Sequence, residues 1–539
     1  MPSMPPNVAS VLLSQLAMWG VKHIYGLAGD AIIPLLDAIR QQNALRYIAV
    51  RHETSAAFMA SAEGKCASRL AVCIGTSGPG LANMMNGIAD AAADHVPILV
   101  ITGQVESDKV GTEAKQYIDQ EQLISPLAVY TASLLHPDAV LAVLNKAVIE
   151  ALSKRGAAHI SIPKDVLALP CPLAARPPTG LLNQTVPKNS SQLDSCVAAL
   201  NSAQRPLIYI GHGARHAAGP ILKLAEALSA GIIETLGAKG TVPANHHLHI
   251  GGIGEGGTKE SADLLKQADC LLVVGANWYP DDFVPREIQV IKIDTAPGSI
   301  EAQQDITLGL VGDAAEVIDQ LLPKLSRPDR TDWLGAIRST REAIALKLDL
   351  ERRPSGQAIT PQALMAALEK SVAPDAIIAL DTGDHTIWFN RMFQAQQQTI
   401  LFSGKWRTMG FGLPAAISAK LQYPDKQVTA LAGDGSFLMT AMELSTLVRY
   451  QTPVKIIVAN NGTLAAEKSK MTAAGLQPYG VDLTNPDFSM LAKSFGMKSL
   501  RVEAADELDN ALSELYADDQ PMLLEVRITD PSPIAEFSS

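Results

Sequence analysis

The feature that most constrains this chain is a repeated alternation. Short runs rich in Val, Ile and Ala give way to longer stretches with helical periodicity, and the pattern recurs in three blocks along 539 residues. Alternation of this kind is the signature of parallel sheets covered by helices. It predicts an α/β fold throughout, as three doubly wound parallel-sheet domains. The length agrees, since a chain of this size holds about three domains. The first block runs from residue 1 to about 170 and leads into a Pro-rich linker, Leu169 to Lys188, with little apolar periodicity. The second, 189–330, has strand candidates at Leu207–Ile210, Cys270–Val274 and Val290–Ile293. A polar helical connection from Arg327 to Gly356 leads to the third block, 355–530.

Composition narrows the function classes. A formal net charge of −11 with no compensating basic block argues against a nucleic-acid partner. The five cysteines, Cys66, Cys73, Cys171, Cys196 and Cys270, lie far apart and form no CxxC pair, which suits a reducing, cytoplasmic interior. No run approaches the ~18 unbroken apolar residues of a membrane span. With 47% hydrophobic and 18% charged residues, a globular chain is the expectation.

The most specific local signal lies in the third block. Ala432-Gly433-Asp434-Gly435-Ser436 follows the apolar run Val428–Leu431 and opens a helix, and Asn460-Asn461-Gly462 closes the next strand, Val454–Val458. Two strand ends of one parallel sheet deliver their loops to the same edge, where ligands of open α/β sheets bind, so Asp434 and Asn461 are expected to converge. A carboxylate and an amide oxygen are hard donors suited to Mg²⁺, which takes its remaining ligands from phosphate and water. The helix from Ser436 is expected to turn free N–H groups toward that phosphate.

Taken together these motifs resemble the thiamine-diphosphate enzymes that include pyruvate oxidases and acetolactate synthases, and the resemblance spans essentially the whole chain. It implies that Asp434, Asn461 and the backbone carbonyl of Thr463 hold the metal, with the diphosphate also against Gly433, Gly435 and Ser436. The stretch Gly404-Lys405-Trp406-Arg407-Thr408-Met409-Gly410-Phe411-Gly412-Leu413-Pro414 is similar to the family segment beneath the thiazolium ring, where Met409 would prop the cofactor into its bent shape. Val50-Arg51-His52-Glu53 stands where a strand gives way to a helix, Thr54–Ala62. By resemblance Glu53 bonds the pyrimidine nitrogen and promotes the imino tautomer that removes the thiazolium proton. Gly75-Thr76-Ser77-Gly78-Pro79-Gly80 and Asp94-His95-Val96-Pro97 are further matches, with His95 near the active centre, and Gln116 is similar to the glutamine that approaches cofactor or substrate. Glu53 and Asp434 of one centre would come from different chains, so a homodimer or homotetramer is implied.

The second block carries the flavin question. Gly211-His212-Gly213-Ala214-Arg215 resembles the turn of flavin-containing pyruvate oxidases, and Gly275-Ala276-Asn277 and Asp294 stand at the ends of later strands. FAD binding is therefore expected, with oxidative decarboxylation of pyruvate or a related 2-oxo acid. An acetolactate synthase-type carboligase, a non-oxidative decarboxylase and an inactive regulatory paralogue remain alternatives. The tail after Ile528 is too short for a membrane-docking extension, so membrane association is not expected. Charged residues depart from the family pattern at Lys115, Glu467 and Lys470. If they line the pocket, Glu467 should pair with Lys115 or Lys470, and a substrate with an additional polar group is expected.

Overall fold

The structure, a computed structural model, describes residues 6–67, 69–178, 191–276, 282–301, 305–326, 328–353 and 356–530. The three blocks fold as three six-stranded sheets. The first sheet holds β1 (His23–Gly26), β2 (Arg46–Ala49), β3 (Ala71–Gly75), β4 (Ile98–Gln104), β5 (Ala128–Ser133) and β6 (Ala157–Pro163). The second holds β7 (Pro206–Ile210), β8 (Gly231–Glu234), β9 (His249–Gly252), β10 (Cys270–Val274), β11 (Gln289–Asp294) and β12 (Leu308–Val311). The third holds β13 (Ile377–Leu380), β14 (Thr399–Leu401), β15 (Val428–Gly433), β16 (Lys455–Asn460), β17 (Lys498–Val502) and β18 (Met522–Arg527). Every strand pair is parallel. Central strands such as β3 and β10 are buried along their whole length, which explains their uninterrupted apolar sequence.

Strand order locates the binding edges. The first sheet runs β2-β1-β3-β4-β6-β5 and the third β14-β13-β15-β16-β18-β17, the same order when each is counted from its own first strand. Each order reverses between the first and third strands, so the third sheet opens its ligand crevice between β13 and β15. The second sheet, β12-β11-β10-β7-β8-β9, counts as 3-2-1-4-5-6, the order of dinucleotide-binding folds, with its crevice between β7 and β10.

The first and third sheets share one apolar core. Helix Glu53–Ala67 packs on helix Gly412–Gln422, with Phe58 meeting Phe411 edge-on at 5.8 Å between centroids. Buried polar bonds cross the same junction: the Tyr25 hydroxyl donates to Glu63 at 2.7 Å and pairs with Ser418 at 3.0 Å. Two helices differ from expectation. The helix expected over Thr54–Ala62 continues to Ala67, and the one expected to open at Ser436 is a short turn, Asp434–Leu438, because the chain bends at Met439 and Thr440 into a 3₁₀ turn. No long helix dipole therefore stands behind the Asp434 loop. Among the described residues, no helix is long and apolar enough to cross a membrane.

Candidate active site

β15 ends at Gly433 and delivers Asp434 to the crevice, where only 3% of the residue is exposed. One carboxylate oxygen, Oδ2, accepts from the Gly462 N–H at 2.8 Å and from Asn485 Nδ2 at 2.6 Å. The other accepts from the Gly435 N–H at 3.0 Å. The Asp434 loop and the loop after β16 thus meet, as the strand ends predict. Burial raises the Asp434 carboxyl above the usual range, while the Asn485, Gly462 and Gly435 donors pull it back. Beside it, the Asn461 amide oxygen accepts from the Thr463 N–H at 3.2 Å, and the Thr463 hydroxyl donates to the Val481 carbonyl at 3.0 Å, leaving the Thr463 carbonyl for another partner. Asn485 Oδ1 is buried with no hydrogen-bond partner among the described residues. A carboxyl group, two amide oxygens and a carbonyl offer oxygen donors of the kind that fits Mg²⁺.

Met409 reaches the same loop. A Cβ placed on Gly435 would lie 3.5 Å from Met409 Cε and 3.0 Å from the tips of Leu464 and Leu483, so the glycine leaves a hollow floored by those side chains. The backbone after Met409 is held by Asp381, at the end of β13. Its carboxylate accepts from Gly410 N at 2.8 Å and Gly412 N at 2.9 Å, and burial pushes its pKa up to about 6. His385 is nearby: its Nδ1 would stand 3.1 Å from a Cβ on Gly433. Burial pushes this imidazole down to about 4, and its Nε2 has no partner among the described residues, leaving a neutral N–H or lone pair at the crevice. Asp381, His385 and Asn485 were not singled out by the sequence reading. Asp381 carried a usable signal, because it follows an apolar strand as Asp434 does.

Glu53 is a second, separate group. It opens helix Glu53–Ala67, is 6% exposed, and accepts from Asn83 Nδ2 at 2.9 Å. The N–H groups of Arg51 and His52 at that helix start donate to Glu443 of the third sheet's loops, at 3.0 and 3.2 Å. Gly78, at φ +63°, lies against Gln116, whose carbonyl would be 2.6 Å from a Cβ there. Gln116 and His95 are themselves exposed. Within one chain, no hydrogen bond among the described residues joins Glu53 to Asp434.

At the second sheet's crevice, Gly211 N donates to the Val274 carbonyl and Gly213 N to the Gly275 carbonyl, both at 2.9 Å. A Cβ on Gly211 would stand 2.3 Å from Ala276 Cα, so these glycines are needed for two loops to close on each other. Ala214 is buried, and the Arg215 guanidinium reaches the Ile400 carbonyl at 3.5 Å. Asp294 ends β11 and accepts from Ala296 N at 3.0 Å. Asn277 lies outside the described residues. The charges at Glu467 and Lys470 pair with each other at 3.0 Å on an exposed helix face, and Lys115 is exposed too. A cluster of Glu226, His246 and His247 lies elsewhere on the surface. There His246 Nδ1 accepts from the Leu248 N–H at 3.3 Å, which puts the ring proton on Nε2, the atom facing Glu226.

Family models match all three blocks: the N-terminal thiamine pyrophosphate binding domain over residues 6–123, the central domain over 193–321, and the C-terminal thiamine pyrophosphate binding domain over 381–526. The putative thiamine pyrophosphate-containing protein YdaP of Bacillus subtilis is 32% identical over 96% of this chain and 91% of its own. The chain belongs to the thiamine pyrophosphate enzymes. Among these enzymes it is also similar to an acetolactate synthase large subunit of Parasynechococcus marenigrum, at 31% identity over 96% of this chain and 87% of that one. Pyruvate oxidase of Lactiplantibacillus plantarum is 30% identical over 97% of this chain and 89% of its own. The chain is thus a thiamine-diphosphate enzyme of the pyruvate oxidase and acetolactate synthase group.

Proposed function

We propose that this enzyme decarboxylates pyruvate or a related 2-oxo acid and passes the resulting electron pair to FAD. Bound thiamine diphosphate supplies the nucleophilic carbon and the electron sink for the carbanion left when CO₂ departs. Asp434, Asn461 and the Thr463 carbonyl hold the Mg²⁺ that anchors the diphosphate, with Gly433, Gly435 and Ser436 around it. Glu53 shares a proton with the pyrimidine ring in a dry site, Met409 supports the bent cofactor, and Gln116 approaches the substrate. The observation that carries this reading is the buried Asp434 carboxylate meeting the loop of Asn461, Gly462 and Thr463, with Met409 against Gly435. The three domains 1–170, 189–330 and 355–530 divide the work as pyrimidine-binding, flavin-binding and diphosphate-binding units.

FAD lies on the second sheet. Its dinucleotide-type strand order and the turn Gly211-His212-Gly213-Ala214-Arg215 at the crevice support this, with Gly275 and Asp294 on neighbouring strand ends. The acetolactate synthase relatives favour a second reading, in which the same carbanion is handed to another carbonyl compound. The active unit is a homodimer or a pair of them. Leu438, Met439 and Met442, 39%, 62% and 56% exposed beside the Asp434 loop, form an apolar surface that a second copy would cover.

An anaerobic absorbance spectrum of the purified protein tests the reaction. Oxidative decarboxylation predicts that an added 2-oxo acid bleaches a bound flavin within turnover. A flavin that stays oxidised while CO₂ and a carbon–carbon ligation product accumulate favours the carboligase.

A further inference from the structure

Helix Pro79–Ala93 carries polar residues along one face. Asn83 bonds Glu53; three residues on, Asn86 accepts from the Trp406 indole N–H at 2.8 Å and donates to the Thr408 hydroxyl at 2.9 Å. Asp90 follows on the same face, and Asp94 caps the helix. Between those two carboxylates lies Lys65, 4% exposed at its side chain, with Nζ 2.7 Å from Asp90 and 2.8 Å from Asp94. The ammonium also donates to the Phe402 carbonyl at 3.0 Å and stands 4.5 Å from the Phe411 ring centroid.

One cation thus faces one buried and one half-buried carboxylate. Asp90 has a further donor in the Ser61 hydroxyl, at 2.6 Å. Asp94 finds its further donors in the third domain: Gly404 N at 2.9 Å and Lys405 N at 2.8 Å. Burial would raise the Asp94 carboxyl, but the Lys65 charge and those two N–H groups outweigh it and hold the group below the usual range. The approach is so close that a Cβ on Gly404 would sit 2.7 Å from Asp94 Oδ1. The segment is then closed by the Thr408 N–H bonded to Ser403 Oγ at 3.0 Å, and Met409 follows at once.

We infer that Asp94 is a positioning residue, whose charged bonds to the Gly404 and Lys405 amides fix the segment that carries Met409. This rests on the role proposed above for Met409. A buried carboxylate held by charge-assisted bonds is stiff, and a misplacement of about 1 Å in a supporting group costs about 10²-fold in rate. No hydrogen bond among the described residues joins Asp94 to the Asp434 carboxylate, so the proposed metal ligands should keep their own bonds when Asp94 is changed.

Two variants approach the contact from opposite sides. Asp94→Asn keeps the volume, leaves Lys65 paired with Asp90, and provides an acceptor for only one of the two amides. Gly404→Ala forces the segment off Asp94 without altering the buried charges, and serves where Asp94→Asn does not fold. The first readout is amide hydrogen exchange of the protein without cofactor: exchange over 402–410 should quicken about tenfold, with helix Glu53–Ala67 unchanged. The second is titration with Mg²⁺ and thiamine diphosphate, whose Kd should stay within about threefold while kcat falls about tenfold or more at unchanged KM. Unchanged exchange in both variants overturns the inference, as does faster exchange with wild-type kcat. Wild-type protein that binds no thiamine diphosphate at all would instead overturn the proposed function, a different outcome visible in the control.

Discussion

Asp381 and Asp434 both follow a third-sheet strand, both are buried, and both are raised by burial. Their surroundings separate them. Asp434 meets the loop that carries Asn461 and Thr463, whose oxygens would suit a cation, whereas Asp381 is spent on the backbone of Gly410 and Gly412. Asp381 therefore gives a clean pH signature. Its folded pKa of about 6 exceeds the ordinary carboxylate value of 3.8, so the folded state binds the proton more tightly than the unfolded chain. The stability this contributes is fully present below the unfolded pKa and is lost as pH rises through about 6. Thermal unfolding of the wild type and Asp381→Asn should show a Tm difference that moves against the wild type between about pH 4 and pH 7. A difference that is flat, or moves the other way, contradicts the burial assigned to this carboxyl. The sequence made Asp434 legible because Gly-Asp-Gly and Asn-Asn close consecutive strands at a fixed spacing. Asp381 shares with Asp434 the position after an apolar strand, but like His385 it has no such paired partner in the sequence, so the fold is needed to single it out.

At the scale of elements, the strands singled out are legible to within two residues at either end, since buried parallel strands are written as unbroken apolar runs. Helix ends are not, because they depend on what the last turns pack against: Glu53–Ala67 runs on past Ala62 where Lys65 finds its two carboxylates. Gly211 and Gly213, which resemble a flavin turn in sequence, also let two loops touch. Helix contact explains Gly87 too. A Cβ there would stand 2.5 Å from Ala57 Cβ and 2.8 Å from the Ala57 carbonyl carbon, so Gly87→Ala must push helix Pro79–Ala93 off helix Glu53–Ala67. Alanine's helix propensity returns only about 1 kcal/mol. Overlap with backbone costs about 1–3 kcal/mol. The variant should therefore unfold at a lower Tm, and weaken the Asn83–Glu53 bond that spans the same two helices. An unchanged or higher Tm would show that this interface yields easily.

At the scale of the molecule, the proposed function divides the site of a single chain into two half-sites. Glu53 with Asn83 belongs to the first domain, Asp434 with Asn461 and Met409 to the third, and an exposed apolar surface at Leu438, Met439 and Met442 flanks the latter. Two copies related by a twofold axis would bring each half-site to its complement. On the proposed reading, Glu53 of one chain and Asp434 of another act on one thiamine diphosphate, and recombination of two dead variants tests this. Glu53→Gln would remove the shareable proton and should lower turnover at least about 10²-fold, and Asp434→Ala would remove the carboxylate proposed to hold the metal. Co-expressed in equal amounts, they should form mixed dimers in which one site carries both lesions and the other neither. Release of CO₂ from the 2-oxo acid would then recover to about a quarter of the wild-type rate. If both residues act within one chain, every site in the mixture keeps a lesion, and activity no greater than that of either variant alone would contradict the account.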